Sequence, residues 1–266
     1  MNAIILRHGA GPLVLGMPHV GTALPPHISA ALNELGRSVP DTDWWLDRLY
    51  AGIAERFDAT ILVAVQSRIV VDVNRDPSGA TLYPGQNTTG LCPTVSFDGL
   101  PIYRRGCEPD AAEIARRREA WFIPYHATLA GLVQAARIRC GHALLWDCHS
   151  IRGTIPHLFD GALPVLNLGT NGGASCAPAV RAAAAARMAA SGFTQVVDGR
   201  FKGGWITRSY GDPERGVQAL QMEIAQHAYM DEAPPWTYAA DRAERLAAAL
   251  SDIIGGALDA ARETAA

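Results

Sequence analysis

Lysine is almost missing from this chain. Of its 266 residues, 23 are Lys or Arg, and Lys202 is the only lysine, so the positive charge is nearly all guanidinium. Coding bias accounts for much of that preference, and the one lysine falls in a glycine-rich run, Gly199 to Gly204. Long apolar runs are missing too, and none approaches the roughly 18 residues that a membrane-spanning helix needs. The five cysteines (Cys92, Cys107, Cys140, Cys148, Cys176) are odd in number and never spaced C-x-x-C. That argues against a disulfide framework and against a thiolate zinc site. Charge of one sign is lacking as well. The formal net charge of −3 gives no general electrostatic reason to bind nucleic acid or an anionic membrane. Residues 1–10 carry their charge after the apolar residues, unlike a signal peptide, so a reduced, soluble, cytoplasmic protein is expected.

What is present is ample material for a core, with 48% of residues hydrophobic and only 18% charged. No repeat, low-complexity linker or boundary divides the chain, so one domain over residues 1–266 is expected. Apolar, β-branched runs predict strands at residues 4–7, 13–17, 59–65, 69–73, 143–148, 165–168 and 217–224. Helical patterns cover 27–37, 44–57, 109–139, 177–190 and 239–263. The Gly-, Pro-, Thr- and Asn-rich stretch 76–107 reads as irregular, and a loop of that length usually carries function. Residues 196–215 are again polar and glycine-rich. Strands alternating with helices predict a three-layer α/β sandwich.

Three polar residues stand at the ends of apolar strands, where open α/β sheets build their sites. They are His19, His149 and Glu223. Two imidazoles and a carboxylate are usual ligands of a catalytic zinc, and a further carboxylate can take a proton from its water. Taken singly, each has a structural alternative: a hydrogen-bonded histidine at a strand end, or a Glu223 paired with an arginine. Asp147, two residues before His149, suits either a loop contact or support of a metal-binding histidine. The densest polar segment is Ser67-Arg68-Ile69-Val70-Val71-Asp72-Val73-Asn74-Arg75. Read as a strand, it sets Arg68, Asp72 and Asn74 on one face of the pleat, with Arg75 beyond the end. Burying such groups costs free energy unless they find partners, so either an internal Arg-Asp pair or a charged, oxygen-rich ligand is expected.

Other local patterns lead elsewhere. Arg7-His8-Gly9 is followed by a strand rather than the helix of the phosphohistidine-forming phosphatases. Gly169-Thr170-Asn171-Gly172-Gly173 lacks both the G-K-[ST] ending of a P-loop and the G-x-G-x-x-G spacing, and reads as a turn or an oxygen-binding helix start. Ser150, next to His149, points to the opposite side of its strand. His126, His142, His157 and His227 read as structural or surface residues.

Several runs together are similar to the N-formylglutamate amidohydrolase family. They are Pro18-His19-Val20-Gly21-Thr22, Asp41-Thr42-Asp43-Trp44, Ser67 to Arg75, Leu82-Tyr83-Pro84-Gly85 and Asp147-Cys148-His149-Ser150. Gly199-Arg200-Phe201-Lys202-Gly203-Gly204, Thr207-Arg208-Ser209-Tyr210-Gly211 and Leu220-Gln221-Met222-Glu223 complete the set, in order over most of the chain. More distantly the chain resembles the zinc carboxypeptidase and aspartoacylase superfamily. The resemblance implies an α/β/α sandwich with a mixed central sheet, of the zinc-carboxypeptidase/phosphorylase-hydrolase kind. It implies hydrolysis of N-formyl-L-glutamate to formate and L-glutamate, the last step of a histidine degradation route. The implied cofactor is Zn2+ or another divalent metal such as Co2+, and the partner is a small N-acyl dicarboxylic amino acid.

Carried over by motif position, His19 and His149 are metal ligands, Arg68 polarises the scissile carbonyl, Asn74 and Arg75 grip a substrate carboxylate, and Glu223 is the general base. Thr22 stands where the superfamily has its acidic ligand. The nearest acids are Asp43 and Asp41. Asp41 suits a helix N-cap, so Asp43 is the expected ligand and Asp41 the alternative. A second carboxylate needs a second cation. Arg208 is the next candidate, with Lys202 and Tyr210 nearby in a loop that the Gly203-Gly204 pair leaves free to close. The rival readings are a deacylase for N-formylaspartate or N-acetylglutamate, and a non-catalytic dicarboxylate sensor.

Overall fold

The computed structural model describes residues 3–81, 85 and 88–265. Leu82, Tyr83 and Pro84 of the fourth motif therefore lie outside the described residues. Among those described, seven strands form one mixed sheet: β1 (Ile4–Arg7), β2 (Leu13–Met17), β3 (Thr60–Ala64), β4 (Ala143–Ile151), β5 (Leu166–Gly169), β6 (Gln195–Val197) and β7 (Val217–Ala225). Their spatial order is β1-β3-β2-β4-β7-β5-β6. Strands β3, β2, β4 and β7 run parallel, β1 and β5 join antiparallel on either side, and β6 pairs parallel with β5.

The helices are α1 (Pro26–Ala31), α2 (Glu34–Arg37), α3 (Leu46–Leu49), α4 (Ala51–Arg56), α5 (Ala111–Arg117), α6 (Ile123–Cys140), α7 (Pro178–Ala190), α8 (Trp205–Tyr210) and α9 (Ala240–Ala265). Leu15, Trp146 and Met222 face one layer, packed with Val180 of α7 and Leu246, Leu250 and Ile254 of α9. Val14, Leu145 and Ala219 face the other, packed with Tyr125 and Leu129 of α6 and Ile206 of α8. The three-layer α/β/α sandwich is as expected. No helix of the described residues is long and apolar enough to cross a membrane.

Alternation along the strands now assigns the polar residues. On β4, Trp146 and Cys148 pack into the first layer, so Asp147 and His149 stand on the second. On β7, Leu220, Met222 and Ile224 do the same, which leaves Gln221 and Glu223 on the second face. The register pairs Asp147 with Gln221 and His149 with Glu223. Ser150 points the other way, its Oγ 2.7 Å from the Tyr229 hydroxyl.

Four segments depart from the sequence reading. The helix expected at 27–37 breaks at Leu32-Asn33, because the Asn33 side chain accepts the Gly36 N–H and starts α2. The helix expected at 44–57 begins only at Leu46, after Trp45 in a left-handed conformation at φ 63°. Asp43 is thereby turned inward. Residues 69–73 form no strand: Ser67 O accepts the Val70 N–H, and Arg68 Nη2 reaches the Asp72 carboxylate at 2.7 Å, closing the segment into turns. The stretch 196–215 contains β6 and α8, too short for a periodicity to register.

Arg117 also differs from the solvated arginines around it. It is buried, and donates to Glu113 Oε1 (2.8 Å), Val70 O (3.2 Å) and the Tyr103 hydroxyl (2.9 Å), tying α5 to the 67–75 turns. Arg117→Met leaves those acceptors without a donor and is expected to cost about 1–3 kcal/mol in urea unfolding. Arg116→Ala, on the exposed side, changes stability by no more than about 0.5 kcal/mol.

Candidate active site

The site lies at the carboxyl ends of β2, β4 and β7. His19 follows β2, and its backbone carbonyl accepts the Asp43 N–H (3.1 Å), drawing the 41–43 segment alongside. His149 comes from β4, and the two imidazole centroids are 4.9 Å apart. Asp43 Oδ2 is 3.7 Å from His19 Nδ1 and 3.2 Å from His149 Nδ1. All three residues are buried. Asp41 is the residue that turns away: its carboxylate accepts the Phe97 N–H (2.9 Å), and burial raises its pKa to about 6 despite that bond.

The far side of each imidazole meets a second carboxylate. His19 Nε2 is 2.8 Å from Asp72 Oδ1, and Asp72 also accepts the Asn74 N–H (2.9 Å) and Arg68 Nη2. Burial alone would raise the Asp72 carboxyl, but Arg75, His19 and Arg68 hold it well below the usual range. An ionised carboxylate only accepts, so His19 Nε2 carries the proton and Nδ1 presents a lone pair. That lone pair faces Asp43, and neither His19 Nδ1 nor Asp43 Oδ1 has a hydrogen-bond partner. His149 Nε2 lies 3.1 Å from Asp147 Oδ1 and 2.9 Å from Asn74 Nδ2. Each histidine thus turns Nδ1 to Asp43 and is oriented from behind by a buried aspartate, the arrangement that metal-binding histidines use.

His19, Asp43 and His149 could hold a metal ion, since one candidate ligand atom from each lies within 4.8 Å of the others. The electrostatics agree. Burial would raise the Asp43 carboxyl, yet the two imidazoles bring it far below its normal value. Burial opposes charge on His149, but Asp147 and Asp43 more than compensate and lift it well above the ordinary imidazole range. His149 therefore favours its protonated form here, and a metal ion at Nδ1 would have to displace that proton.

Next to this cluster, a cavity of about 590 Å³, mouth included, is lined by His19, His149, Arg68, Asn74, Arg75 and Glu223. The Arg68 guanidinium is held by Asp72 and lies over the Phe97 ring, 4.7 Å from its centroid. Among the described residues no arginine lies within ion-pair distance of Glu223. Its pKa is pushed up to about 8, chiefly by burial, with His149 and Arg68 opposing and Asp43 adding. Gln221 Nε2 donates to it at 3.4 Å, and Gln221 Oε1 accepts the Gly204 N–H (2.7 Å).

Asn74 lines the cavity, but its amide is committed: Oδ1 accepts the Ile206 N–H (2.8 Å) at the start of α8, and Nδ2 serves His149 and Asp147. A Cβ at Gly204 would overlap that amide, so Gly204 permits close packing rather than loop freedom. Lys202, Arg208 and Tyr210 are not among the lining residues. Lys202 is exposed, and Arg208 Nε donates to Gly203 O (2.9 Å), just before the start of its own helix α8. Tyr210 packs on His126 under the sheet, its hydroxyl 2.9 Å from the ring Nδ1. The lining instead includes Arg200, Phe201 and Gln221. All three sit inside runs already legible as motifs, but no local pattern shows which members of a loop face inward.

These contacts predict metal binding directly. In titration calorimetry with Zn2+, Asp43→Asn abolishes tight binding while Asp41→Asn keeps it. Asp72→Asn, which removes the anion behind His19, weakens it about 10- to 100-fold. Because the ion displaces a proton from His149, whose pKa is raised, affinity falls as pH falls, by up to about tenfold per unit. A pH-independent affinity would contradict the ligand set.

Similarity to known proteins extends over nearly the whole chain. The family model for N-formylglutamate amidohydrolase matches residues 11–230. The N-formylglutamate deformylase of Pseudomonas aeruginosa is 48% identical over 263 residues, covering 98% of both chains. That of Pseudomonas putida is 43% identical over 256 residues, 96% of this chain and 95% of the other. The crystal structure of N-formylglutamate amidohydrolase from Ralstonia eutropha JMP134 superposes with a TM-score of 0.78 at 26% identity, covering 96% of this chain and 97% of that one. With matches of this extent, the chain belongs to the N-formylglutamate amidohydrolase family.

Proposed function

We propose that this chain hydrolyses N-formyl-L-glutamate to formate and L-glutamate as a single domain, with one divalent ion, Zn2+ or Co2+, held by His19, Asp43 and His149. The observation that carries the reading is the convergence of two imidazoles, each turning Nδ1 to the Asp43 carboxylate, beside a buried Glu223 in a cavity walled by arginines. The relatives' names add the acyl group and the amino acid. Five unpaired cysteines support a reducing, cytoplasmic setting.

A divalent ion held by His19, Asp43 and His149 would supply Lewis acidity. Glu223 takes a proton from the attacking water at a carboxylate oxygen and delivers it to the amide nitrogen as the C–N bond breaks, leaving formate and the amine. Burial pushes the Glu223 carboxyl up to about 8, and a bound divalent ion would lower it toward the range of a working base. Arg68, fixed by Asp72 and the Phe97 ring, meets the charge that develops on the formyl oxygen. Arg75 binds a substrate carboxylate. Its guanidinium is oriented by Thr89 O (3.0 Å), Thr89 Oγ1 (3.1 Å) and Asp72 (3.6 Å). Asn74 acts on His149 rather than on the substrate.

Formate release from N-formyl-L-glutamate tests the reading. Turnover is expected to stop with a chelator and return with Zn2+ or Co2+, and chelator-resistant turnover would remove the ion from the scheme. Glu223→Gln keeps metal stoichiometry while kcat falls about 10²- to 10⁴-fold, whereas Arg75→Ala acts mainly on KM. Higher kcat/KM for N-formyl-L-aspartate or N-acetyl-L-glutamate would reassign the substrate. Absence of turnover in the metal-loaded protein would favour a dicarboxylate sensor.

A further inference from the structure

A dicarboxylic substrate needs two cations, and Arg75 accounts for one. Arg200 lines the same cavity from another wall. It is half-buried, its Nε donates to Leu158 O (3.3 Å), and its guanidinium carbon lies 5.1 Å from the Phe201 ring centroid. Leu158 and Phe201 line the cavity beside it, so the charge sits in an apolar frame.

The loop that carries Arg200 is clamped on both sides. Before it, the Asp198 carboxylate accepts the Thr170 N–H (2.7 Å), the Thr170 hydroxyl (2.6 Å) and the Gly172 N–H (3.3 Å). After it, Lys202 O accepts the Asn171 N–H (2.6 Å) and Gly204 is held by Gln221. Such anchoring places a side chain far more narrowly than an open surface loop does.

The two arginines differ in what they adjoin. Arg75 is linked through Asp72 to His19, and so to the metal cluster where the formyl amide must lie. Arg200 is tied to Leu158 and Phe201, outside that cluster. In N-formylglutamate the α-carboxylate is one carbon from the amide nitrogen, and the side-chain carboxylate is two methylenes farther. We propose that Arg75 takes the α-carboxylate and that Arg200 takes the side-chain carboxylate, selecting acidic over neutral N-formyl amino acids. This assignment rests on the deformylase reading above.

The test compares N-formyl-L-glutamate with the isosteric, neutral N-formyl-L-glutamine, and L-glutamate with L-glutamine in calorimetric titration of the zinc-loaded protein. Arg200→Ala is expected to cut the glutamate-to-glutamine ratio of kcat/KM about 10- to 100-fold, by lowering the first value and not the second. Arg200→Lys restores part of the ratio. Arg75→Ala lowers both values together. The ratio is internal to each preparation, so partial misfolding does not move it. If the wild-type protein turns over neither substrate, the deformylase reading fails, and the titration ratio still decides for or against Arg200. An unchanged ratio in Arg200→Ala, or its collapse in Arg208→Ala instead, overturns the assignment.

Discussion

A single buried carboxylate, Asp72, organises the site. An isolated ion at that depth would cost several kcal/mol. The chain around it is bent until the charge is met from every side: by Arg68 and Arg75 on Oδ2, and by His19 and the Asn74 N–H on Oδ1. The turns at 67–75 are the result. Apolar Ile69, Val70 and Val71 still bury, but as the outer wall of a turn rather than as a strand. Meeting this one charge also fixes the His19 tautomer, aims Arg68 and places Asn74. The Asn74 amide in turn holds His149 and the first turn of α8.

The sheet supplies the remaining precision. Parallel β4 and β7 in fixed register bring His149 opposite Glu223 and Asp147 opposite Gln221, all on one face. A one-residue slip would send the four to the opposite layer, into the Leu246 and Ile254 core, at prohibitive cost. Hydrophobic alternation thus does two things at once. It stabilises the sandwich, and it specifies which side of the sheet holds the chemistry.

This explains what the sequence makes legible and what it hides. The long strands, α6, α7 and α9 announce themselves through periodicity, because their burial depends on one face over many residues. His19, His149 and Glu223 stand out as polar groups in apolar surroundings. Asp43 is reachable through its motif, but its separation from Asp41 is not: both acids precede the same helix, and only the Phe97 N–H, 56 residues away, claims Asp41. Likewise Lys202 shares a loop with Arg200, and Arg208 and Tyr210 follow close behind on α8. Direction within such a loop is set by the Asp198 and Gln221 clamps, contacts at long sequence separation. The oxygen-binding turn at Gly169–Gly173 illustrates the same point, since the oxygens it binds belong to the chain's own Asp198.

The shortage of lysine finds its physical sense at this cavity. Asp43, Asp72, Asp147 and Glu223 give four carboxylates; Arg68, Arg75 and Arg200 give three guanidinium groups. With Glu223 ionised as a base and a divalent ion in place, the formal balance is one positive charge, which a dianionic substrate turns to one negative charge. In the proposed hydrolysis, proton transfer from water to Glu223 would leave that total unchanged but move negative charge onto the reacting oxygen, toward Arg68. Guanidinium suits this task better than ammonium. Its planar fork can bind Asp72 on one edge and still present donors to the cavity on another, while remaining charged through the reaction. A lysine in the place of Arg68 would be spent on Asp72 alone. The global charge of −3 therefore reveals little about a cavity whose three guanidinium groups come from just two segments, the 67–75 turns and the loop at Arg200.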